Sequence, residues 1–147
     1  MDFPEFLKGK VEEVIFLKWL RRKAVAHVQR DRKRGNLSAG VAAYKRAIYA
    51  AILEGGGNDC YTGKPLDWGL IGTYRNDESS EGKRAYWKSF RDLPTVDHDD
   101  DGMGEPNFKI CSQLTNDCKS HLSHEEFVQL CRDVIAYHEN LKCGEPS

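Results

Sequence analysis

The 147-residue sequence lacks several features that would place it in a specialised class of protein. It contains no apolar run close to the roughly 20 residues needed to span a bilayer, so a membrane protein is not expected. Its N-terminus has no basic start, apolar stretch or small-residue cleavage site, so we expect a cytoplasmic location. The remaining composition, 39% apolar and 31% charged, is typical of a soluble globular domain.

The sequence lacks the cysteine pattern of the usual cross-linked scaffolds. The five cysteines are odd in number and contain no Cys-x-x-Cys pair. Reduced thiols are therefore expected, and a structural zinc is not. An alternative is a structural zinc bound by Cys111, Cys118, His121 and His124. The spacing of these four residues matches no common zinc finger.

Charge is divided unequally along the chain, although the net charge is only -1. Residues 1–50 carry twelve Lys and Arg against five Asp and Glu, a net +7. Residues 92–147 carry four against twelve, a net -8. A basic region beside an acidic site suits a metal-dependent enzyme that acts on a polyanion. The alternative is two solvated surfaces of opposite sign.

The N-terminal third predicts two helices, which form a basic helical region over residues 1–57. Apolar residues at helical spacing predict one helix over about 10–34, with Val14, Leu17, Leu20, Ala24 and Val28 facing inward. Ser38 is a predicted N-cap for a second helix that reaches about Glu54 and ends at three glycines.

A second face of the first predicted helix is cationic. It carries Lys23, His27, Arg30 and Arg34, and Arg32 and Lys33 add charge near its end. We interpret this face as a candidate nucleic-acid-binding surface. The alternative is a solvated face whose cations complement the negative end of the helix dipole.

The remaining segments alternate turns with short elements. Residues 60–68 predict a small hairpin or turn, and residues 72–83 predict a polar loop. Residues 84–93 predict a short helix that ends before Pro94 and is anchored by Tyr86, Trp87 and Phe90. Ser123-His124-Glu125-Glu126 has the pattern of a capping box and predicts a final helix to about Leu141.

The sequence Thr95-Val96-Asp97-His98 contains the residue types of a hydrolytic site. On an extended segment, adjacent Asp97 and His98 point to opposite faces, so one can hold a cation while the other reaches a water molecule. Asn107 follows His98 by nine positions, and Asn116 follows Asn107 by nine, leading into Asp117-Cys118-Lys119-Ser120.

Together with Cys60-Tyr61-Thr62-Gly63 and Glu125-Glu126-Phe127, these motifs resemble the HNH endonuclease family. The resemblance implies an α+β fold with a ββα-metal core, in which a β-hairpin and one helix surround a single divalent metal. We expect this core and a C-terminal helix in residues 58–147, packed with the N-terminal two-helix extension as one domain.

The resemblance also suggests a role for each site residue. His98 is the predicted general base, because its neutral imidazole can accept a proton from water near pH 7. Asp97 and Asn116 are the predicted ligands of Mg²⁺ or Mn²⁺. Asn107 is expected to tie the hairpin loop together and orient His98, and Lys119 is a candidate phosphate contact.

The expected reaction is hydrolysis of phosphodiester bonds in DNA, with RNA retained as an alternative substrate. The oligomeric state is left open, with a homodimer among the alternatives. Two non-catalytic hypotheses also stand: a DNA-binding module, and a calcium-binding module based on Asp97-x-Asp99-x-Asp101-Gly102. Position twelve of that calcium pattern is Phe108 instead of a bidentate Glu, and Pro94 breaks its leading helix.

Overall fold

The structure, a computed structural model, describes residues 1–73 and 88–144 and combines helices with a two-stranded antiparallel sheet. It divides into two compact units, Met1–Asp117 and Cys118–Ser147. An α+β class is therefore confirmed. Residues 84–87 of the predicted helix over 84–93, and residues 74–83 of the predicted loop over 72–83, lie outside the described residues. No helix in the described ranges has the length and apolarity needed to cross a membrane.

Two long helices build most of the first unit. Helix α1 spans Glu13–Lys33 and helix α2 spans Val41–Gly55, close to the predicted bounds. Gly56 ends α2 in the left-handed conformation, with φ of 60°, which glycine adopts without steric cost. The residue before α2 is Gly40, not Ser38, whose hydroxyl donates to Asn36 Oδ1 at 2.8 Å. The predicted N-cap is therefore wrong.

The buried face of α1 agrees with the prediction at Leu20, Ala24 and Val28 and differs from it in the first turns of the helix. Val14 is 58% and Leu17 is 42% exposed, whereas Phe16 and Trp19 are almost completely buried. Trp19 packs edge-to-face against Trp68, with ring centroids 5.4 Å apart. Burying a large aromatic side chain contributes about 1.5–3 kcal/mol, so the two aromatics determine which face of the helix turns inward.

A β-hairpin packs beside these helices and leads directly into a short helix. Strand β1 spans Pro94–His98, strand β2 spans Phe108–Ser112, and helix α3 spans Gln113–Lys119. The register pairs Pro94 with Ser112 and His98 with Phe108. Val96, Phe108 and Ile110 join the core formed by α1 and α2. The core thereby fixes one face of the hairpin.

Buried Asp59 connects the turn after α2 with the β2–α3 junction. Its carboxylate accepts hydrogen bonds from Tyr61 N at 2.8 Å, Ser112 N at 3.2 Å and Thr115 Oγ1 at 2.7 Å. Burial opposes ionisation, but these hydrogen bonds outweigh it and hold the pKa of Asp59 below its ordinary value. Asp59 therefore fixes where α3 begins relative to the hairpin.

The second unit contains helix α4, His124–Gly144. The predicted capping box is confirmed: Ser123 N donates to Glu126 Oε1, and Glu126 N donates to Ser123 Oγ, both at 3.1 Å. Every described residue of α4 is at least partly exposed, including Leu130, Val134 and Tyr137. Packing of this helix with the remainder as one domain stays a prediction.

We predict that Asp59→Asn lowers the free energy of unfolding by about 1–3 kcal/mol at pH 7, because buried donors lose an ionised acceptor. Asp59 has a depressed pKa in the folded state, so its contribution is present above the ordinary aspartate pKa of about 4 and is lost as the pH falls through the lower folded value. Chemical denaturation from pH 7 to pH 2 measures this difference.

The matched control is Asp92→Asn, which changes an exposed aspartate and should alter stability by less than about 0.5 kcal/mol. A difference between wild type and Asp59→Asn that is absent at pH 7, or that grows as the pH falls, would contradict the proposed role of the carboxylate.

Candidate active site

Strand β1 directs Asp97 and His98 to opposite faces of the hairpin, as predicted. His98 stacks on its cross-strand partner Phe108, with ring centroids 4.8 Å apart and an interplanar angle of 26°. Asp97 lies on the side of Cys60 and Tyr61. Burial, the charge of Asp59 and the charge of Asp97 raise the pKa of the Cys60 thiol to about 12. The two neighbouring site residues therefore have separate surroundings.

The two ring nitrogens of His98 differ in their contacts. Nε2 lies 3.0 Å from each carboxylate oxygen of Asp31, a residue near the end of α1. Nδ1 is buried and has no hydrogen-bond partner within residues 1–73 and 88–144; Asp100 Oδ1 is 3.9 Å away, beyond hydrogen-bond distance. The His27 ring contacts the His98 ring edge-on at a centroid distance of 5.0 Å. The imidazole is thus held in one orientation.

Asp31 is completely buried, and its carboxylate is closely surrounded. The Tyr44 hydroxyl donates to Asp31 Oδ2 at 2.5 Å. Burial and the Asp31 carboxylate raise the pKa of Tyr44 above its ordinary value, so Tyr44 stays protonated as a donor. Gly102, with φ of 77°, crosses directly over the carboxylate, and Asn36 Nδ2 donates to Gly102 O at 2.8 Å. The loop after β1 therefore closes over Asp31.

His27 is part of the core and not of a phosphate-binding surface, which corrects the sequence interpretation. It is 3% exposed, and its Nε2 lies 3.2 Å from Val96 O on β1. Burial, together with the charges of Arg30 and His98, lowers the pKa of His27 to about 3, so the ring is neutral near pH 7. A neutral ring that donates from Nε2 anchors β1 two residues before His98.

The predicted metal ligands lie on elements that border the same turn. Asp97 is partly buried on β1, near Cys60. Asn116 is partly buried on α3, directly after Thr115, which bonds to Asp59. Carboxylate and carboxamide oxygens are the hard ligands that Mg²⁺ and Mn²⁺ prefer, so these donors suit a sparsely ligated ion that retains water. Their roles as ligands stay predictions.

Asn107 ties the loop between the strands together. Its carbonyl accepts from Asp99 N at 3.1 Å, and its Nδ2 donates to Asp99 Oδ2 at 3.4 Å. In the described part of the chain, the His98 ring donates a hydrogen bond to Asp31, and Asn107 makes none with the ring. The expectation that Asn107 orients His98 stays a prediction without a direct contact to support it.

The acidic loop gives the calcium alternative no support. Asp100 Oδ1 accepts from Gly102 N at 2.8 Å, and Asp101 Oδ1 accepts from Met103 N at 3.0 Å. Asp99 pairs with Lys109 at 3.6 Å. Across the described ranges, no group of three or more His, Cys, Asp or Glu is arranged to hold a metal ion. The loop carboxylates stabilise local turns instead of converging.

The predicted nucleic-acid-binding residues differ in exposure. Arg30, Lys33 and Arg34 are exposed at the end of α1. Arg32 is exposed, but its guanidinium donates twice to Ala39 O, at 3.0 and 2.8 Å, which ties the α1–α2 connection. Lys119 is only 6% exposed, unlike the accessible lysine that the sequence suggested. Their contacts with nucleic acid stay predictions.

Lys23 lies partly buried along α1, with Nζ 6.0 Å from the centre of the Trp19 ring. Burial, with Arg22 and Arg30 nearby, lowers the pKa of Lys23 to about 8. It lines a groove with Lys18, Arg22 and Pro94, the first residue of β1. Cations therefore follow α1 beside the strand that carries His98.

Asp31 and Tyr44 are the site residues that sequence reasoning missed. One signal was available: Asp31 follows His27 by four positions and Val28 by three, so it shares the buried face of α1. A carboxylate on a buried helix face requires a partner. That partner is 67 positions away, and helical periodicity cannot identify it.

We predict that Gly102→Ala destabilises the protein by roughly 2–4 kcal/mol. The added Cβ would lie 2.6 Å from Asp31 Oδ1, and alanine would be strained at a φ of 77°. Gly104→Ala is the matched control, because no atom lies within 4 Å of its added Cβ. Equal unfolding free energies for the two variants in urea would show that the loop does not close over Asp31.

Comparison with known proteins gave no match: no family model, no curated protein and no solved structure matches this chain. The resemblance to HNH endonucleases therefore remains a hypothesis based on the motif residues.

Proposed function

We propose that this chain is a metal-dependent endonuclease of the HNH type that hydrolyses phosphodiester bonds in DNA. The observation that supports the proposal best is the environment of His98. A buried carboxylate holds Nε2, and Nδ1 has no hydrogen-bond partner among the described residues. A histidine with these contacts has the arrangement expected of a general base. The order β1, β2, α3 agrees with a ββα-metal core.

In the proposed reaction, His98 removes a proton from water as the water oxygen attacks phosphorus. The proton passes to Nδ1, the new bond joins the water oxygen to phosphorus, and the bond to the leaving oxygen breaks. The His98 side chain is 12% exposed and Asp100 lies near Nδ1. We therefore expect the Asp100 side chain to shift when substrate and water enter.

Asp97 and Asn116 would hold a divalent cation, Mg²⁺ or Mn²⁺, through one carboxylate and one carboxamide oxygen. When bound, such an ion would polarise the phosphate and stabilise charge on the leaving oxygen. Two protein ligands leave most coordination positions to water and phosphate oxygens, as is usual for Mg²⁺. The ion and His98 must act on the same phosphate, and Asp97 and His98 occupy adjacent positions at the end of β1.

A polyanionic substrate agrees with the charge along α1. Lys18, Arg22 and Lys23 line one groove, and Arg30 and Arg34 lie closer to the helix end that carries Asp31. These cations can offset the repulsion between phosphates and the acidic residues around His98. DNA is the proposed substrate because of the resemblance to HNH endonucleases. RNA would satisfy the same electrostatics and remains the alternative.

We expect purified protein to nick or linearise supercoiled plasmid when Mg²⁺ or Mn²⁺ is present, and to be inactive with a chelator. His98→Ala should reduce the cleavage rate by on the order of 10²- to 10⁴-fold, the usual contribution of a general base, while DNA binding is largely retained. Gel electrophoresis of a time course, together with a binding titration, measures both.

His138→Ala is the matched control, because it removes an exposed histidine on α4 and should cleave like wild type. Cleavage by His98→Ala at the wild-type rate would exclude His98 as the base. Metal-independent cleavage, or no cleavage of DNA or RNA by wild type, would contradict the proposed function.

We predict that combined Ala substitution of Arg30, Lys33 and Arg34 weakens DNA binding and reduces its dependence on salt. Each lost phosphate contact should lower the slope of log K against log salt by about 0.9. Arg32 is left unchanged because its guanidinium donates hydrogen bonds to Ala39 O and stabilises the connection between α1 and α2. Fluorescence anisotropy at several salt concentrations measures the slope.

The charge-matched control replaces three exposed cations on other segments, Lys10, Arg46 and Lys142, with Ala. If both triple variants lose the same affinity and slope, only net charge matters, and the end of α1 is not the binding surface.

A further inference from the structure

Asp31 occupies a position that is unfavourable for a carboxylate on two counts. It is 0% exposed, and removing a charge from water is costly unless the charge is paired. It also lies in the last turn of α1, near the negative end of the helix dipole, where an acidic side chain is disfavoured. A residue that opposes both tendencies calls for an explanation beyond packing, and its contacts provide one.

The contacts of Asp31 select one protonation form of the neutral His98 ring. A carboxylate only accepts hydrogen bonds, so the His98 nitrogen that faces it must carry the proton. That nitrogen is Nε2, at 3.0 Å from both oxygens. Tyr44 donates its hydroxyl proton to the same carboxylate, so Tyr44 does not accept a hydrogen bond from His98 Nε2 in place of Asp31. In the neutral ring, Nδ1 is left with its lone pair.

The orientation of the ring is fixed as well as its protonation. Phe108 stacks against one side of the His98 ring, and His27 contacts it edge-on. Rotation of the ring about its bond to the strand would break the contact with Asp31 and leave the buried carboxylate with one hydrogen-bond donor fewer. Asp31, Phe108 and His27 together hold Nδ1 on the side away from α1.

We propose that Asp31 is a positioning residue that keeps neutral His98 protonated at Nε2, so that Nδ1 is the atom that accepts the proton from water. This inference deepens the proposed function and depends on it for its catalytic part. During the reaction Asp31 changes no bond: the water proton moves to Nδ1, and the carboxylate stabilises the positive ring that results.

The groups that face His98 come from three elements. Asp31 and His27 belong to α1, Tyr44 donates to Asp31 from α2, and Asp100 belongs to the loop after β1. His27 is neutral near pH 7 and Tyr44 is protonated, so Asp31 supplies the buried negative charge in contact with the ring.

The first test measures the tautomer directly in folded wild-type protein. Long-range proton–nitrogen NMR of the histidine rings at neutral pH should show His98 protonated at Nε2 and unprotonated at Nδ1. This measurement needs neither substrate nor metal. A His98 ring protonated at Nδ1 would overturn the inference, whatever the outcome of any cleavage assay.

The second test uses Asp31→Asn, which keeps the side-chain shape and removes the charge. Its cleavage rate should fall by on the order of 10²- to 10⁴-fold, the effect that follows when a base loses its orienting carboxylate. The loss should appear in kcat, with KM for the plasmid largely unchanged, because Asp31 acts on the base and not on substrate binding. Asp133→Asn, an exposed change on α4, is the isosteric control and should behave like wild type.

A double-mutant cycle separates positioning from general structural damage. If Asp31 acts through His98, adding Asp31→Asn to His98→Ala should cause no further loss of cleavage. A full additional loss would overturn the positioning role. If Asp31→Asn does not fold, Asp31→Glu replaces it in the same cycle, and the wild-type tautomer measurement decides independently.

The failure of this inference can be distinguished from the failure of the proposed function. Wild type that cleaves, with an Asp31→Asn variant of equal kcat, would remove Asp31 from the mechanism and leave the nuclease intact. Wild type that does not cleave would reject the proposed function and with it the catalytic role of Asp31, while the tautomer would still be decided by NMR.

Discussion

The contact between buried Asp31 and His98 is the interaction on which the candidate site depends. It joins α1 to β1 across 67 positions of sequence. Because Asp31 is completely buried, its charge must be satisfied, and the surrounding structure is arranged to do so. Tyr44 provides a hydroxyl from α2, and Gly102 allows the loop after β1 to pass close to the carboxylate. The N-terminal helices are therefore part of the site and not an accessory extension.

Strand geometry places the side chains of His98 and Asp97 on opposite faces of the hairpin. His98 points toward α1 and contacts Asp31 through Nε2, whereas Asp97 points toward the turn after α2. Asp59 connects that turn to the start of α3, the helix that carries Asn116. Metal-assisted phosphodiester hydrolysis requires a base and a bound metal ion that act on the same phosphate. The adjacent positions of His98 and Asp97 on β1 are the basis for the function proposed here.

Local patterns in the sequence predicted much of the fold. Features that depend on contacts between residues distant in sequence were not predicted. The capping box at Ser123 and Glu126, the glycine end of α2 and the strand that carries Asp97 and His98 all depend on neighbouring residues. The buried face of α1 was predicted correctly at Leu20, Ala24 and Val28 but not at Val14 and Leu17. Phe16 and Trp19 are buried instead, because they pack against Trp68, which is distant in sequence. Asp31 was missed for the same reason, and His27 was read as a surface cation because its bond to Val96 is not visible in a helical pattern.

Metal coordination in a complex with DNA is the most direct test of the nuclease proposal. A crystal structure of His98→Ala with duplex DNA and Mn²⁺, using the anomalous signal of manganese, would locate the ion without cleavage of the substrate. We predict one ion bound by oxygens of Asp97 and Asn116 and by a DNA phosphate, with a water molecule on the side vacated by the His98 ring. An ion held instead by Asp99 and Asp101, or bound DNA without an ion at Asp97, would contradict the proposal.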